Sequence, residues 1–269
     1  MSGEIHLVND LSRWTLPMVQ QWLFVVVRVA PIVFLMPLFQ SRNVPQRVKA
    51  AITLILSLVL FPSVAIEETA FPSEPVGFGL LVFSEMAIGL VLGLSIRMVF
   101  AGLQLAGEIA GTQMGFGMAR VMDPQFGSES TVMTEFYFLI GLLLFLSVDG
   151  HHWFFRALAQ SFQLIRPGGI HLQEGLFDQF LRLSGRMFVL AIQIVAPLLA
   201  ILLLIKIALG IIARTMPQMN LLMASFPLTI GLGLIMIGLS LDLFWVSLGK
   251  WMDESGRRLV TTLLPLMKE

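Results

Sequence analysis

The chain contains no cysteine. That excludes disulfides, zinc–thiolate sites, iron–sulfur clusters and thiol nucleophiles, and it leaves the redox compartment open. Charge is scarce: 13% of residues are Asp, Glu, Lys or Arg, where a soluble domain has about 25%. The 17 basic and 17 acidic residues cancel, so no bulk field points to nucleic acid or to an acidic lipid surface. No P-loop and no HExxH occurs. Gly115-Phe116-Gly117 opens like a dinucleotide fingerprint, but Arg120 stands where the third glycine belongs and no strand pattern precedes it. The histidines at 6, 151, 152 and 171 support no Ser–His–Asp arrangement. Asp149, His151 and His152 suggest metal ligands at first sight. Neighbouring residues on a helix point about 100° apart, which argues against a shared ion. The favoured reading is Asp149 as a helix cap with the imidazoles near an interface. No metal, no cofactor and no catalysis are expected.

What remains is apolar. Hydrophobic residues make up 57% of the 269, and the mean hydropathy is +0.86. Such a composition reads as an all-α, polytopic, membrane-associated chain. Six apolar segments stand out, at 14–39, 48–66, 76–103, 132–148, 187–212 and 219–248. The third, as a helix, is about 42 Å long. The fourth is short and holds Glu135. Pro31, Pro37, Pro62, Pro197 and Pro227 punctuate the segments, and broken or kinked helices are expected there. Met1–Arg13 lacks the basic start of a cleavable signal, so the first apolar segment is expected to stay in the protein. The loop 40–49 is basic and 67–75 is acidic, which places the former in the cytoplasm and the N-terminus outside. The later basic residues favour five spans, with 132–148 only dipping into the bilayer.

Five charges interrupt the apolar helices: Arg28, Glu85, Arg97, Lys206 and Asp242. Each costs at least about 2.5–3.5 kcal/mol at a bilayer centre. Glu85 and Arg97 lie about 120° apart around a helix and cannot pair with each other. Their partners are expected on other helices or other subunits. Snorkelling is open to Arg28, Arg97 and Lys206 and less so to the shorter Glu85 and Asp242. Small residues mark close helix packing at Gly89 and Gly93, a GxxxG pair, and at Gly231 and Gly233, with Gly238 beyond.

Residues 107–127 read GEIAGTQMGFGMARVMDPQFG. Glycines at 107, 111 and 115 and methionines at 114, 118 and 122 both recur every fourth residue. Gly115-Phe116-Gly117 and Asp123-Pro124 oppose a regular helix. A deformable loop flanked by short helical turns is expected, with Gly111, Met114, Gly115, Phe116, Gly117, Met118, Met122 and Phe126 able to seal a conduit and re-pack. The plainer alternative is a glycine-kinked helix whose methionines fill core.

Three strings, RVAPIVFLMPLFQSRNVPQRVKAAI (28–52), GEIAGTQMGFGMARVMDPQFGSES (107–130) and DGHHWFFRALAQSF (149–162), resemble the FliR family. That family is the R subunit of the flagellar type III export gate and is the counterpart of the injectisome T subunit. The Arg166-Pro167-Gly168 turn departs from the family's usual apolar residue. The resemblance implies a P-like region over 1–185, including a plug at 107–127, fused to a Q-like hairpin over 186–269. It implies a helical cone built with P and Q subunits, contacts with the B subunit of the export apparatus and the basal-body ring, and unfolded flagellar subunits as cargo. The implied location is the bacterial inner membrane within the basal body, with the C-terminus outside. It also implies that part of the cone stands above the bilayer. Against this gating subunit stand two other readings: a stand-alone secondary transporter or ion channel, which also uses broken helices and intramembrane charges, and a purely architectural anchor.

Overall fold

The computed structural model describes residues 2–40, 44–64, 74–116, 132–165, 169, 174–216 and 221–267. Among the described residues there are seven α-helices: α1 (Ser2–Leu35), α2 (Gln46–Leu60), α3 (Pro75–Met114), α4 (Val132–Ser147), α5 (Gly150–Leu164), α6 (Glu174–Thr215) and α7 (Leu221–Arg258). There is no strand among the described residues. The all-α polytopic class is borne out: by length and composition four stretches among the described residues suffice to cross a membrane, Met18–Leu35, Pro75–Met114, Gly175–Thr215 and Ser225–Met267. The interrupted pair α4 and α5 makes a fifth if counted as one span.

Two expectations about breaks change. Among the described residues, the segment at 48–66 has no helix long enough to count as a span. Its helix α2 is 15 residues, about 23 Å, and gives way to a turn at Phe61–Ser63 around Pro62. A count of five therefore rests on different segments from those the charge pattern suggested. Pro31, Pro197 and Pro227 lie inside helices rather than ending them. The stop comes at Pro37, because the residue before a proline is pushed out of the helical region. Met36 accordingly has φ −65° and ψ 128°.

The chain packs as two compact units. The first comprises Met1–Arg97, His151–Phe180 and Ser255–Glu269. In it α1 and the N-terminal part of α3 run parallel, since Phe24 meets Phe78 and Leu35 meets Gly93. Gly89 and Gly93 are what bring the two backbones together. A Cβ at Gly89 would collide with the carbonyl oxygen of Arg28, and one at Gly93 would lie 2.8 Å from Leu35 Cδ1. The core is Phe24, Val25, Val29 and Ile32 from α1, Ile88, Leu92 and Ile96 from α3, and Leu158 and Ile165 at the end of α5. Trp153 of α5 lies against Gly256.

The second unit comprises Met98–Gly150 and Leu181–Glu254. Here α6 runs parallel to α3: Ser184 reaches the sulfur of Met98, and a Cβ at Gly102 would lie 3.0 Å from the carbonyl oxygen of Met187. α4 runs antiparallel to α3. The Phe100 ring sits 5.7 Å from that of Phe138 and 5.5 Å from that of Phe145, while Gly107 abuts Met133 and Thr134. α6 and α7 form an antiparallel hairpin, held by Arg186 to Glu254 at 3.1 Å and by the Trp251 indole donating to Gln193 at 3.4 Å. α7 turns one stripe inward, Thr229, Gly233, Ile237, Phe244, Leu248 and Met252, at the three-to-four-residue spacing of a helix face.

Candidate functional site

Two constellations stand out, one in each unit. In the first unit, α1 carries Arg28 and α3 carries Glu85, and both side chains are fully buried. Arg28 Nε donates to Glu85 Oε2 at 2.6 Å. Its Nη1 donates to Ser161 Oγ and its Nη2 to the carbonyl oxygen of Ile165, each at 3.3 Å. The guanidinium lies 4.2 Å from the centre of the Phe162 ring, a cation–π contact. One arginine thus ties α1 to α3 and to the end of α5. The planar fork of donors suits this task, since three bonds leave in fixed directions from one rigid group. The open reading of a snorkelling Arg28 is replaced by burial, because the parallel packing of α1 and α3 sets Glu85 beside it. Sequence reasoning missed Ser161, Phe162 and the Ile165 carbonyl. The signal available was DGHHWFFRALAQSF, whose last two residues are Ser161 and Phe162.

In the second unit the C-terminus of α3 is finished with care. Gly111 and Met114 are buried, and the helix runs without interruption to Met114. The expected loop therefore begins later than residue 107, since Gly107 and Gly111 are helical and Gly107 packs tightly on α4. Gly115 then takes φ +99°. The Phe116 N–H donates to the carbonyl oxygen of Gly111 at 2.9 Å and the Gly115 N–H to that of Thr112 at 3.2 Å. These two bonds and a left-handed glycine are a Schellman cap, which satisfies orphan carbonyls at a helix end. α7 holds this end from the side. Thr229 Oγ1 lies within donating distance of the Met114 carbonyl oxygen at 2.9 Å and of the Ser225 and Phe226 carbonyls of its own helix at 3.0 and 3.2 Å, and the Met114 side chain rests on Gly233, where a Cβ would be 2.7 Å from its methyl carbon. Thr229, missed by sequence reasoning, is the residue that anchors the segment's start. Gly117, Met118, Met122 and Phe126 lie outside the described residues.

The other expected residues are scattered. Lys206 is exposed on α6 and its Nζ donates to Gln113 Oε1 on α3. Arg97 and Asp242 are exposed on α3 and α7, and neither has a hydrogen bond or ion pair among the described residues. Gly231 is open within the chain: a Cβ there would meet nothing within 4 Å among the described residues. Two residues from Gly233, it lies 200° around α7 from the packed face by helix geometry. The His151 and His152 rings do not point apart as helix geometry predicts: their centres are 4.2 Å apart. Asp149 precedes α5 with φ 55°.

The family model for bacterial export proteins, family 1, matches residues 19–255. The chain belongs to the FliR family. Among members of that family, the flagellar biosynthetic protein FliR of Bacillus subtilis is 35% identical over 84% of this chain and 87% of its own length. Those of Pectobacterium carotovorum and Escherichia coli are 31% and 30% identical, over 87% and 80% of this chain and 87% and 84% of theirs. The FliR match thus spans both units, and both constellations lie inside it.

Proposed function

We propose that this chain is a structural and gating subunit of the flagellar type III export channel, needed for passage of unfolded flagellar subunits and hence for flagellum assembly. It performs no catalysis, and the driving energy comes from its partners. Those partners are the P and Q subunits, the B subunit and the basal-body ring, in the bacterial inner membrane. The family match carries the flagellar export role. Helix length carries the reading as one subunit of a larger body. A helix tilted by 40° crosses a hydrocarbon core of about 30 Å in about 39 Å, or about 26 residues. The candidate spans Pro75–Met114, Gly175–Thr215 and Ser225–Met267 have 40, 41 and 43 residues, and no more than half of the apolar window in each is buried in the chain. Beyond that length the helices extend out of the core, and apolar side chains they expose, such as Ile192, Leu203 and Leu239, are open to cover by other subunits.

Residues 1–185 act as the P-like part and 186–269 as the Q-like hairpin. The antiparallel pairing of α6 with α7, which includes Arg186 and Glu254, is in keeping with that division. The plug of the closed channel begins at the capped end of α3, with Gly111, Met114, Gly115 and Phe116 as its base and Gly117, Met118, Met122 and Phe126 beyond. Gly111 and Met114 are packed, so a deletion that includes them damages the fold. The informative deletion is 117–126. It should leave the complex intact on purification and make the membrane leak ions. Normal complex with unchanged permeability argues against the plug, and intact flagella in cells lacking the whole gene argue against the export role.

A further inference from the structure

Asp242 stands in the middle of α7 on the side opposite the stripe that packs into the second unit. Helix geometry puts it about 140° around from Ile237. Its neighbours on that side are Ile235, Leu239, Trp245 and Val246, all exposed, with Leu239 74% exposed. The carboxylate has no hydrogen-bond or ion-pair partner among the described residues. It also lies within the candidate membrane span Ser225–Met267, in the apolar part that ends at 248. Charged groups in membrane helices face protein or a wet cavity rather than lipid. Close approach to this side is open. Gly231, Gly238 and Gly249 share it, and a Cβ on any of the three would meet nothing within 4 Å among the described residues.

We infer that the Asp242 face of α7 is a docking surface for an apolar helix of a different subunit, and that this helix presents a lysine or arginine to the Asp242 carboxylate. Charge decides the occupant. Lipid acyl chains cannot neutralise the carboxylate, and a second copy of α7 would set one Asp242 against another. The contrast with Glu85 is instructive. Both are carboxylates on apolar helices, but Glu85 finds its cation within the chain and Asp242 does not. The partner's ammonium or guanidinium completes an ion pair that this chain half-builds, and the surrounding Ile235, Leu239 and Val246 exclude water from it.

The inference rests on the reading of the chain as one subunit of an export complex, and the test separates the two. A photo-crosslinking residue is placed at Leu239 in the full chain, expressed in its own cells with all partners present, and irradiated in the membrane. The expected product is a single hetero-adduct with another membrane subunit, in which the crosslinked helix has Lys or Arg within one turn. Adducts with lipid only, or with a second copy of the chain, overturn the inference. In parallel, Asp242→Lys should lower the complex recovered through a tag on this chain at least tenfold. Replacing the partner's cation by Glu in that background should restore at least half of it. If Asp242→Lys leaves recovery unchanged, the ion pair is refuted. If the chain co-purifies with no other subunit even without substitution, the subunit reading itself fails.

Discussion

Replacing Glu85 by alanine removes the only counter-charge that the structure places on the Arg28 guanidinium among its described contacts. Arg28 and Glu85 are both 0% exposed, so the orphaned cation has no water to turn to. Ser161 and the Ile165 carbonyl, each at 3.3 Å, are dipoles and do not neutralise it. Breaking a buried ion pair by deleting one member costs about 3–5 kcal/mol. For a chain of this size each kcal/mol lowers the melting midpoint by about 2–4 °C, so the expected drop is about 6–20 °C. Interhelical polar contacts in membranes average only about 0.6 kcal/mol when both partners can find substitutes. Arg28 cannot, because α1, α3 and α5 enclose it. Removing both charges is different. Arg28→Met with Glu85→Leu fills the same space with apolar groups and should be close to neutral, or stabilising by about 1 kcal/mol or more. The assay is a heat series on complex purified through a tag on this chain, with the surviving fraction read by size-exclusion chromatography. Glu85→Ala melting within about 2 °C of the unsubstituted protein, or a double variant no better than the worse single one, refutes the reasoning.

Further outcomes follow from the close contacts. Gly89→Ala forces a Cβ onto the Arg28 carbonyl, which is backbone and cannot step aside, so it should cost about 1–3 kcal/mol. Gly79→Ala on the same helix meets nothing within 4 Å and should be neutral or gain up to about 1 kcal/mol from helix propensity; equal midpoints for the two would contradict the packing account. Gly115→Ala places a side chain at φ +99° and 2.7 Å from Phe226 Cδ1. It should destabilise by about 1–3 kcal/mol and raise ion leak in the assay used for the 117–126 deletion. Thr229→Val leaves the Met114 carbonyl without its 2.9 Å donor and should cost about 1–3 kcal/mol. Thr229→Ser should retain most of that stability, and parity of Val with Ser would remove the anchor from the account.

Much of the architecture was legible because its cause is local. Apolar runs of membrane length, a GxxxG pair and a basic loop are read within one segment. Gly89 and Gly93 stand four apart on one face and do meet α1. Gly231 and Gly233 stand two apart and therefore cannot both do so, a distinction that periodicity already contained. The prolines were legible only in part: Pro37 follows the end of α1, whereas Pro197 and Pro227 sit within helices. The partner of Arg28 was not legible at all. It is 57 positions away, and only the parallel register of α1 with α3 brings it near. The cap at Gly115 was half legible: the glycine signalled a break, but Thr229 reaches it from a helix 115 positions on. The family strings passed over the division of labour inside them, since Ser161 and Phe162 look alike in sequence whether they bind Arg28 or merely fill core.

The central claim is that the apolar helices of this chain are built to be covered by other subunits of an export channel. It is tested most directly by the native mass of the particle purified from membranes through a tag on this chain. The account predicts a hetero-oligomer that holds this chain together with other membrane subunits, and a chain that aggregates or is degraded when expressed without them. A monodisperse particle containing this chain alone, stable in detergent and carrying solutes across vesicle membranes unaided, contradicts it.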